Sequence, residues 1–259
     1  MPPSSHRIRF VLVRTSHPGN IGAAARAIRT MGFARLVLVA PMRYPDAEVQ
    51  ALAAGADDVL ERIVVVPDLV EAMADCRLVL GLSARRRGVT LAEHTPRGAA
   101  AEAQAAAARG EEIALVFGNE RTGLENDELQ RCHAMVRIPS VDDFGSLNLA
   151  QAVQVMAYEL RLAGLEAPPA PPAPRDPPAT AAEMEAFFGH LAATLDDIDF
   201  HKGRSPRTIL QRLRKLFLRA QPDSRELRVL RGILSDAQRM ARLARAAGAR
   251  GAGSEQASE

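Results

Sequence analysis

With 259 residues, 47% apolar and 4% aromatic without any Trp, the chain can bury one full-sized core plus a small appendage, and it lacks the aromatic platforms on which single-strand binders stack bases. No apolar run is long enough to span a bilayer as a helix and residues 1–9 carry no signal-peptide core, so a cytoplasmic protein is expected. The net charge of +2 divides unevenly: residues 201–250 hold 14 Lys and Arg against 3 Asp and Glu, while the remainder holds 19 against 28, the pattern of a polyanion-binding appendage on a mildly acidic body.

In chain order, residues 9–13 form a short apolar run that ends in the turn His17-Pro18-Gly19-Asn20. An alanine-rich helix follows over 21–31, with Gly32 as its stop. Residues 36–39 read as a buried strand, then a helix over 46–53, a strand over 63–66, a helix over 68–74 and a strand over 78–82. A helix over 96–109, a strand over 113–117, a short helix over 126–131 and a strand over 136–138 come next. An amphipathic helix over 147–162 closes the unit, with Leu149, Val153, Met156 and Leu160 on its apolar side.

Short strands that are apolar on both faces and separated by helices predict an α/β fold, an open parallel sheet with helices on both faces. Ligands in such sheets bind at the carboxyl ends of strands, where the polar segments after Val13, Leu82, Phe117 and Ile138 fall. Residues 1–165 are therefore expected to form one domain. Residues 166–178 hold seven prolines in thirteen positions, which predicts a linker over 166–179. A small all-helical extension over 180–247 follows, with helices at 181–194, 206–218 and 224–247, and residues 248–259 read as a disordered tail.

Three segments carry candidate chemistry. Gly19-Asn20-Ile21-Gly22 resembles a dinucleotide loop, but its spacing is imperfect and Ala40-Pro41 stand where an acidic ribose contact belongs. Its small residues are explained by close helix packing, which leaves Arg26 unexplained. Gly118-Asn119-Glu120-Arg121-Thr122-Gly123 has the glycine spacing of a phosphate loop but lacks its lysine, leaving a tight turn and a carboxylate, Glu120, that caps or pairs with an arginine. Ser146-Leu147-Asn148 stands at a helix start, with Ser146 as the expected N-cap. The histidines His17, His94, His133, His190 and His201 show no paired ligand spacing, so no metal is expected. Cys76 and Cys132 read as reduced, buried thiols.

Taken together, these segments resemble the SPOUT class of methyltransferases, in its SpoU/TrmH branch of RNA 2'-O-methyltransferases. Asn20 with Arg26, Gly118 with Glu120, and Ser146-Leu147-Asn148 match that family's motifs in order and spacing. Thr15-Ser16-His17, Ser83-Ala84-Arg85, Phe188-Gly189-His190-Leu191 and Leu230-Arg231-Gly232-Ile233-Leu234 narrow the resemblance to the type that methylates ribose at nucleotide 32 of tRNA. Two departures stand out: Asp142-Asp143-Phe144 precede the third motif, and Leu82 stands where Thr is common.

The resemblance implies a homodimer whose C-terminal catalytic segment forms a trefoil knot. It also implies S-adenosylmethionine held by Leu82, Ser83, Ala84, Gly118, Ile138, Ser146 and Leu147. Arg26 becomes the reactive arginine. Because arginine keeps its proton at neutral pH, electrostatic stabilisation of a developing alkoxide is the favoured role, with the base role left open. Asn20 and Asn148 would orient the nucleotide or Arg26, Glu120 would hold Arg26 or Asn20 in place, and Ser146 would serve substrate or cofactor. Arg85, Arg86, Arg87, Lys202, Arg204, Arg207, Arg212, Arg214 and Lys215 are the expected contacts to tRNA phosphates. The competing readings are methylation of another tRNA or rRNA site, a non-catalytic RNA-binding protein of this fold, and a nicotinamide-dependent dehydrogenase.

Overall fold

The computed structural model describes residues 5–84, 91–141, 145–166, 176–203 and 205–255, with side chains through 246. Two compact units emerge: one from residues 1–175 with 180–182, the other from residues 176–179 with 183–259.

The first unit is built on seven strands: β1 (Ile8–Val13), β2 (Arg35–Val39), β3 (Val64–Val66), β4 (Leu78–Leu82), β5 (Ala92–His94), β6 (Ile113–Phe117) and β7 (Ala134–Val136). They pair in the order β3-β2-β1-β6-β4-β7-β5, and every pairing is parallel. Its helices are α1 (Pro18–Thr30), α2 (Ala47–Ala53), α3 (Asp57–Leu60), α4 (Leu69–Met73), α5 (Pro96–Ala108), α6 (Asn126–Leu129) and α7 (Leu149–Glu166).

Side-chain alternation along β1 divides the core between the two faces of the sheet. Ile8, Phe10 and Leu12 join one cluster with Ile21 and Ile28 of α1, Ala103 of α5, and Val153, Met156 and Leu160 of α7. Val11 and Val13 join another with Leu69 and Met73 of α4 and Leu129 of α6. All six β1 residues are buried, which is why the strand reads as a continuous apolar run. Arg9 is its exception, and its guanidinium is neutralised by Asp75 at 2.6 Å and Glu112 at 3.1 Å.

Glycine has a packing role in α1. A Cβ on Gly22 would stand 2.2 Å from the Val49 carbonyl oxygen, and one on Gly19 would stand 2.6 Å from both Glu48 and Leu52. The glycines that mimic a dinucleotide loop thus let α1 lie against α2.

Several boundaries differ from the sequence reading. The strand expected at 136–138 lies at Ala134–Val136, because pairing stops ahead of Pro139 and Arg137 turns its N–H to the His94 carbonyl. Neither β5 nor α3 was expected: Ala92-Glu93-His94 is a half-polar edge strand, and α3 has a single turn. The N-cap of α7 is Asn148, not Ser146. Asn148 Oδ1 accepts from the Ala150 N–H at 2.9 Å and the Gln151 N–H at 3.4 Å, while Gln151 Oε1 accepts the Asn148 N–H at 3.3 Å. Ser146 lies two residues before the cap and is exposed.

The second unit packs α8 (Ala181–Asp197), α9 (Pro206–Ala220) and α10 (Ser224–Glu255) around Phe187, Phe188, Leu191, Leu218 and Leu227. The end of the proline-rich stretch belongs to this unit, where the Ala179 N–H donates to the Pro222 carbonyl and Pro178 bridges Asp223. α10 carries helical backbone to Glu255, past Gly248 where the tail was expected to begin.

Candidate active site

Because β1, β6 and β4 are adjacent and parallel, the segments leaving their carboxyl ends meet at one edge of the sheet. β1 runs on to β2 on one side, whereas β6 and β4 lie on the other, so the chain reverses its lateral direction here and opens a crevice. A cleft lies at the carboxyl ends of β4, β6 and β7, closed on its far side by the segment that leads into α7.

All seven residues expected to hold the cofactor line this cleft. Leu82, Ser83 and Ala84 come from the end of β4, Gly118 from the turn after β6, and Ile138, Ser146 and Leu147 from the segment between β7 and α7. Phe117, Val136 and Leu149 add apolar wall that the sequence reading did not single out, since core-facing residues carry no polar signal. At Gly118 a Cβ would fall 2.1 Å from both the Gly123 carbon and the Leu124 nitrogen. Only glycine lets the turn fold back so closely. The loop then presents backbone rather than side chain to the cleft, a cradle that fits a flat, uncharged base.

Glu120 lines the same cleft and gathers four donors. Its Oε2 accepts from the Ser16 N–H at 3.0 Å and the Ser16 hydroxyl at 2.8 Å. Its Oε1 accepts from the His17 N–H at 3.2 Å and Asn20 Nδ2 at 2.9 Å. Burial opposes its charge, but the Ser16 and Asn20 hydrogen bonds outweigh that cost and hold the carboxyl below the usual glutamate range. The carboxylate also lies at the N-terminus of α1, where the helix dipole favours an anion. Asn20 Oδ1 in turn accepts from Asn148 Nδ2 at 3.0 Å. Three sequence segments are thereby joined in one relay, Glu120–Asn20–Asn148.

Arg26 is not part of that relay. It lies six residues beyond Asn20 on α1, exposed, and its side chain has no partner among the described residues. Of the two partners expected for Glu120, the structure therefore pairs Asn20 and leaves Arg26 free to meet something else.

Of the basic residues, Arg85, Arg86, Arg87 and Arg204 lie outside the described residues, as do Asp142, Asp143 and Phe144. Lys202, Arg207, Arg212 and Lys215 are exposed in the second unit. Arg214 must be corrected. Its guanidinium pairs with both carboxylate oxygens of Glu185 and lies 4.1 Å over the Phe188 ring, so its charge is used within the helical unit. A helical stretch of basic residues does not reveal which one faces inward until its neighbours are placed.

His133 is a structural residue. Its Nδ1 accepts the Val79 N–H at 3.0 Å, and burial lowers its pKa to about 4. Burial likewise pushes the Cys76 and Cys132 thiols up to about 12. No group of His, Cys, Asp and Glu among the described residues has the arrangement of a metal site, and no helix there is long and apolar enough to cross a membrane.

Residues 7–158 match the model of the SpoU rRNA Methylase family, and residues 182–246 match the tRNA methyltransferase TrmJ, C-terminal domain. The chain belongs to the SpoU methylase family. A tRNA (cytidine/uridine/adenosine-2'-O-)-methyltransferase TrmJ from Pseudomonas aeruginosa is 46% identical to this SpoU member over 91% of the chain and 95% of the relative. A tRNA (cytidine/uridine-2'-O-)-methyltransferase TrmJ from Salmonella typhimurium is 47% identical over 88% and 95%. The crystal structure of TrmJ from Z. mobilis superposes with a TM-score of 0.77 at 37% identity, over 88% of this chain and 97% of that one. The SpoU fold, an open parallel sheet with C-terminal helices, is the one expected from the sequence.

Proposed function

We propose that this protein transfers a methyl group from S-adenosylmethionine to a ribose 2'-hydroxyl of tRNA, at cytidine or uridine 32 of the anticodon loop. The observation that carries the reading is the Glu120–Asn20–Asn148 relay beside a cleft lined by the seven expected cofactor residues. The names of the 46–47% identical relatives support tRNA, ribose 2'-O-methylation and cytidine or uridine.

The cleft's apolar walls from Leu82, Ile138 and Leu149 suit an adenine, and Ser83 and Ser146 offer hydroxyls at its rim. When bound, the cofactor supplies an electrophilic methyl group on a sulfonium. The protein's work is to align the ribose hydroxyl and stabilise the negative charge it gains as its proton leaves. Arg26 supplies that stabilisation from an exposed position on α1 and steadies the neighbouring phosphate. Asn20 and Asn148, with their amides fixed by Glu120 and the α7 cap, orient the nucleotide. Two copies of the chain form the working enzyme, with the knotted topology of the SPOUT class. Lys202, Arg207, Arg212 and Lys215 add salt-sensitive affinity for the tRNA backbone.

The test is methyl transfer from labelled cofactor to tRNA, with nucleoside mass spectrometry of fragments spanning position 32. Wild-type protein is expected to give 2'-O-methylcytidine or 2'-O-methyluridine there. Arg26→Ala is expected to bind cofactor normally and lose at least a hundredfold in kcat. Near-wild-type turnover in that variant would remove Arg26 from the mechanism, and methylation elsewhere would leave the chemistry intact but move the target.

A further inference from the structure

The turn after β6 is fastened to the start of α1 at a second point, one residue ahead of Glu120. Asn119 Nδ2 donates to the Arg14 carbonyl oxygen at 2.6 Å, directly after β1. The same side chain shapes its own turn: Oδ1 accepts from the Arg121 N–H at 2.9 Å and the Thr122 N–H at 3.4 Å. Its backbone carbonyl accepts the Gly123 N–H at 2.7 Å, closing the loop. One amide therefore folds the loop with its oxygen and ties that loop to another segment with its nitrogen.

The Arg14 end of the tie is rigid in its own right. Arg14 has a positive φ of 51°, and its N–H donates to the Val39 carbonyl at 2.8 Å. Its guanidinium is held by Glu125 at 3.1 Å and by Glu128, both on or beside α6. Two and three residues later, Ser16 and His17 make their hydrogen bonds to Glu120. The Asn119 tie thus fixes where the β1–α1 junction stands relative to the cleft, and the Glu120 relay depends on that spacing.

We infer that Asn119 is a positioning residue for methyl transfer: it couples the cofactor-facing turn to the helix that carries Asn20 and Arg26. The inference rests on the proposed reaction. Asn119 lines the cleft, so cofactor contact with this turn is transmitted through the Nδ2–Arg14 hydrogen bond to the α1 side of the site. Of the residues beside Glu120, Asn119 alone unites both jobs, and amide chemistry lets them be separated. Aspartate keeps an acceptor for Arg121 and Thr122 but has no donor for Arg14. Serine keeps a shorter, uncharged acceptor that does not reach Arg14. Alanine loses both.

The experiment compares full-length Asn119→Asp, Asn119→Ser and Asn119→Ala with wild type. Calorimetry reads affinity for S-adenosylhomocysteine, and steady-state assays on tRNA read kcat and KM. The aspartate and serine variants are expected to bind the cofactor product within about threefold of wild type, with kcat lowered at least tenfold and KM for tRNA little changed. The alanine variant is expected to lose cofactor affinity as well. The inference fails if the aspartate and serine variants turn over within threefold of wild type, or if all three lose cofactor affinity and kcat in parallel, as a purely structural role demands. The serine variant covers the case in which the new charge of Asn119→Asp unfolds the loop. Absence of transfer by wild type would instead refute the proposed reaction, so the two failures are distinguishable.

Discussion

At the scale of single residues, Glu120 and His133 both make the fold less stable as pH falls, over different ranges. The Glu120 carboxyl titrates below the ordinary glutamate range, so its stabilising hydrogen bonds are fully present at neutral pH. That contribution is withdrawn as pH falls from roughly 4.3 through the lower folded value. His133 is held neutral, with its pKa lowered from 6.5 to about 4. Between those values the unfolded chain gains a proton that the native chain refuses, so stability declines as pH falls, by up to about 3 kcal/mol in all. Urea titrations of wild type at pH 7 and pH 5 should show the loss. In His133→Asn, whose amide oxygen can still accept from Val79, the slope over that interval should flatten. A wild type equally stable at both pH values would contradict a His133 held neutral in the fold. The role of Glu120 was half legible in the sequence: a carboxylate in a tight turn needs a partner. That the partner is Asn20 rather than Arg26 depends on side-chain directions set by the packing of α1 against α2.

At the scale of elements, long periodic segments were the readable ones. The apolar positions of α7 named from periodicity, Leu149, Val153, Met156 and Leu160, are all buried. By contrast β5 and the true start of α7 were not legible, because half-polar edge strands and competing Ser and Asn caps differ only in tertiary surroundings. Asn148 provides a way to divide capping from chemistry. Asn148→Asp keeps the cap oxygen for Ala150 and Gln151 but cannot donate to Asn20, so it should melt close to wild type while losing most of its turnover. Asn148→Ala should lose about 1 kcal/mol of stability as well. Equal loss of turnover and stability in both variants would show that the cap alone matters. Gly22 is the corresponding test of helix packing. A methyl group there meets backbone rather than a flexible side chain, so Gly22→Ala should cost about 2 kcal/mol or more in chemical denaturation.

At the scale of the molecule, the division of charge was plain in the sequence, but the net charge overstates what the helical unit offers a polyanion. Arg214 is paired internally, whereas Arg212 and Lys215 lie exposed on the same helix. Reversing both to glutamate should weaken tRNA binding and flatten its dependence on salt, with little change in melting temperature. Arg214→Ala should instead lower the melting temperature, because it removes the ion pair to Glu185 and the guanidinium that covers Phe188. Filter binding across a salt series, together with thermal melts, separates the two classes. The proposed knot and dimer belong to this scale too, and neither has a local signature in composition or periodicity; only resemblance suggests them.

The place of β6 in the sheet also bears on how the protein is made. β1 and β4 never touch; β6 lies between them, although its residues leave the ribosome after those of both neighbours. Until Ile113–Phe117 emerge, the nascent chain can form only the β1–β2–β3 ladder, with the inner edge of β1 open. Arg9 aside, that edge is apolar on both faces, the kind of surface that recruits other unfinished chains. Nascent chains with β6 still inside the ribosome should therefore be captured by holdase chaperones far more than those from which β6 and β7 have emerged, since β6 inserts between β1 and β4 and β7 then inserts between β4 and β5.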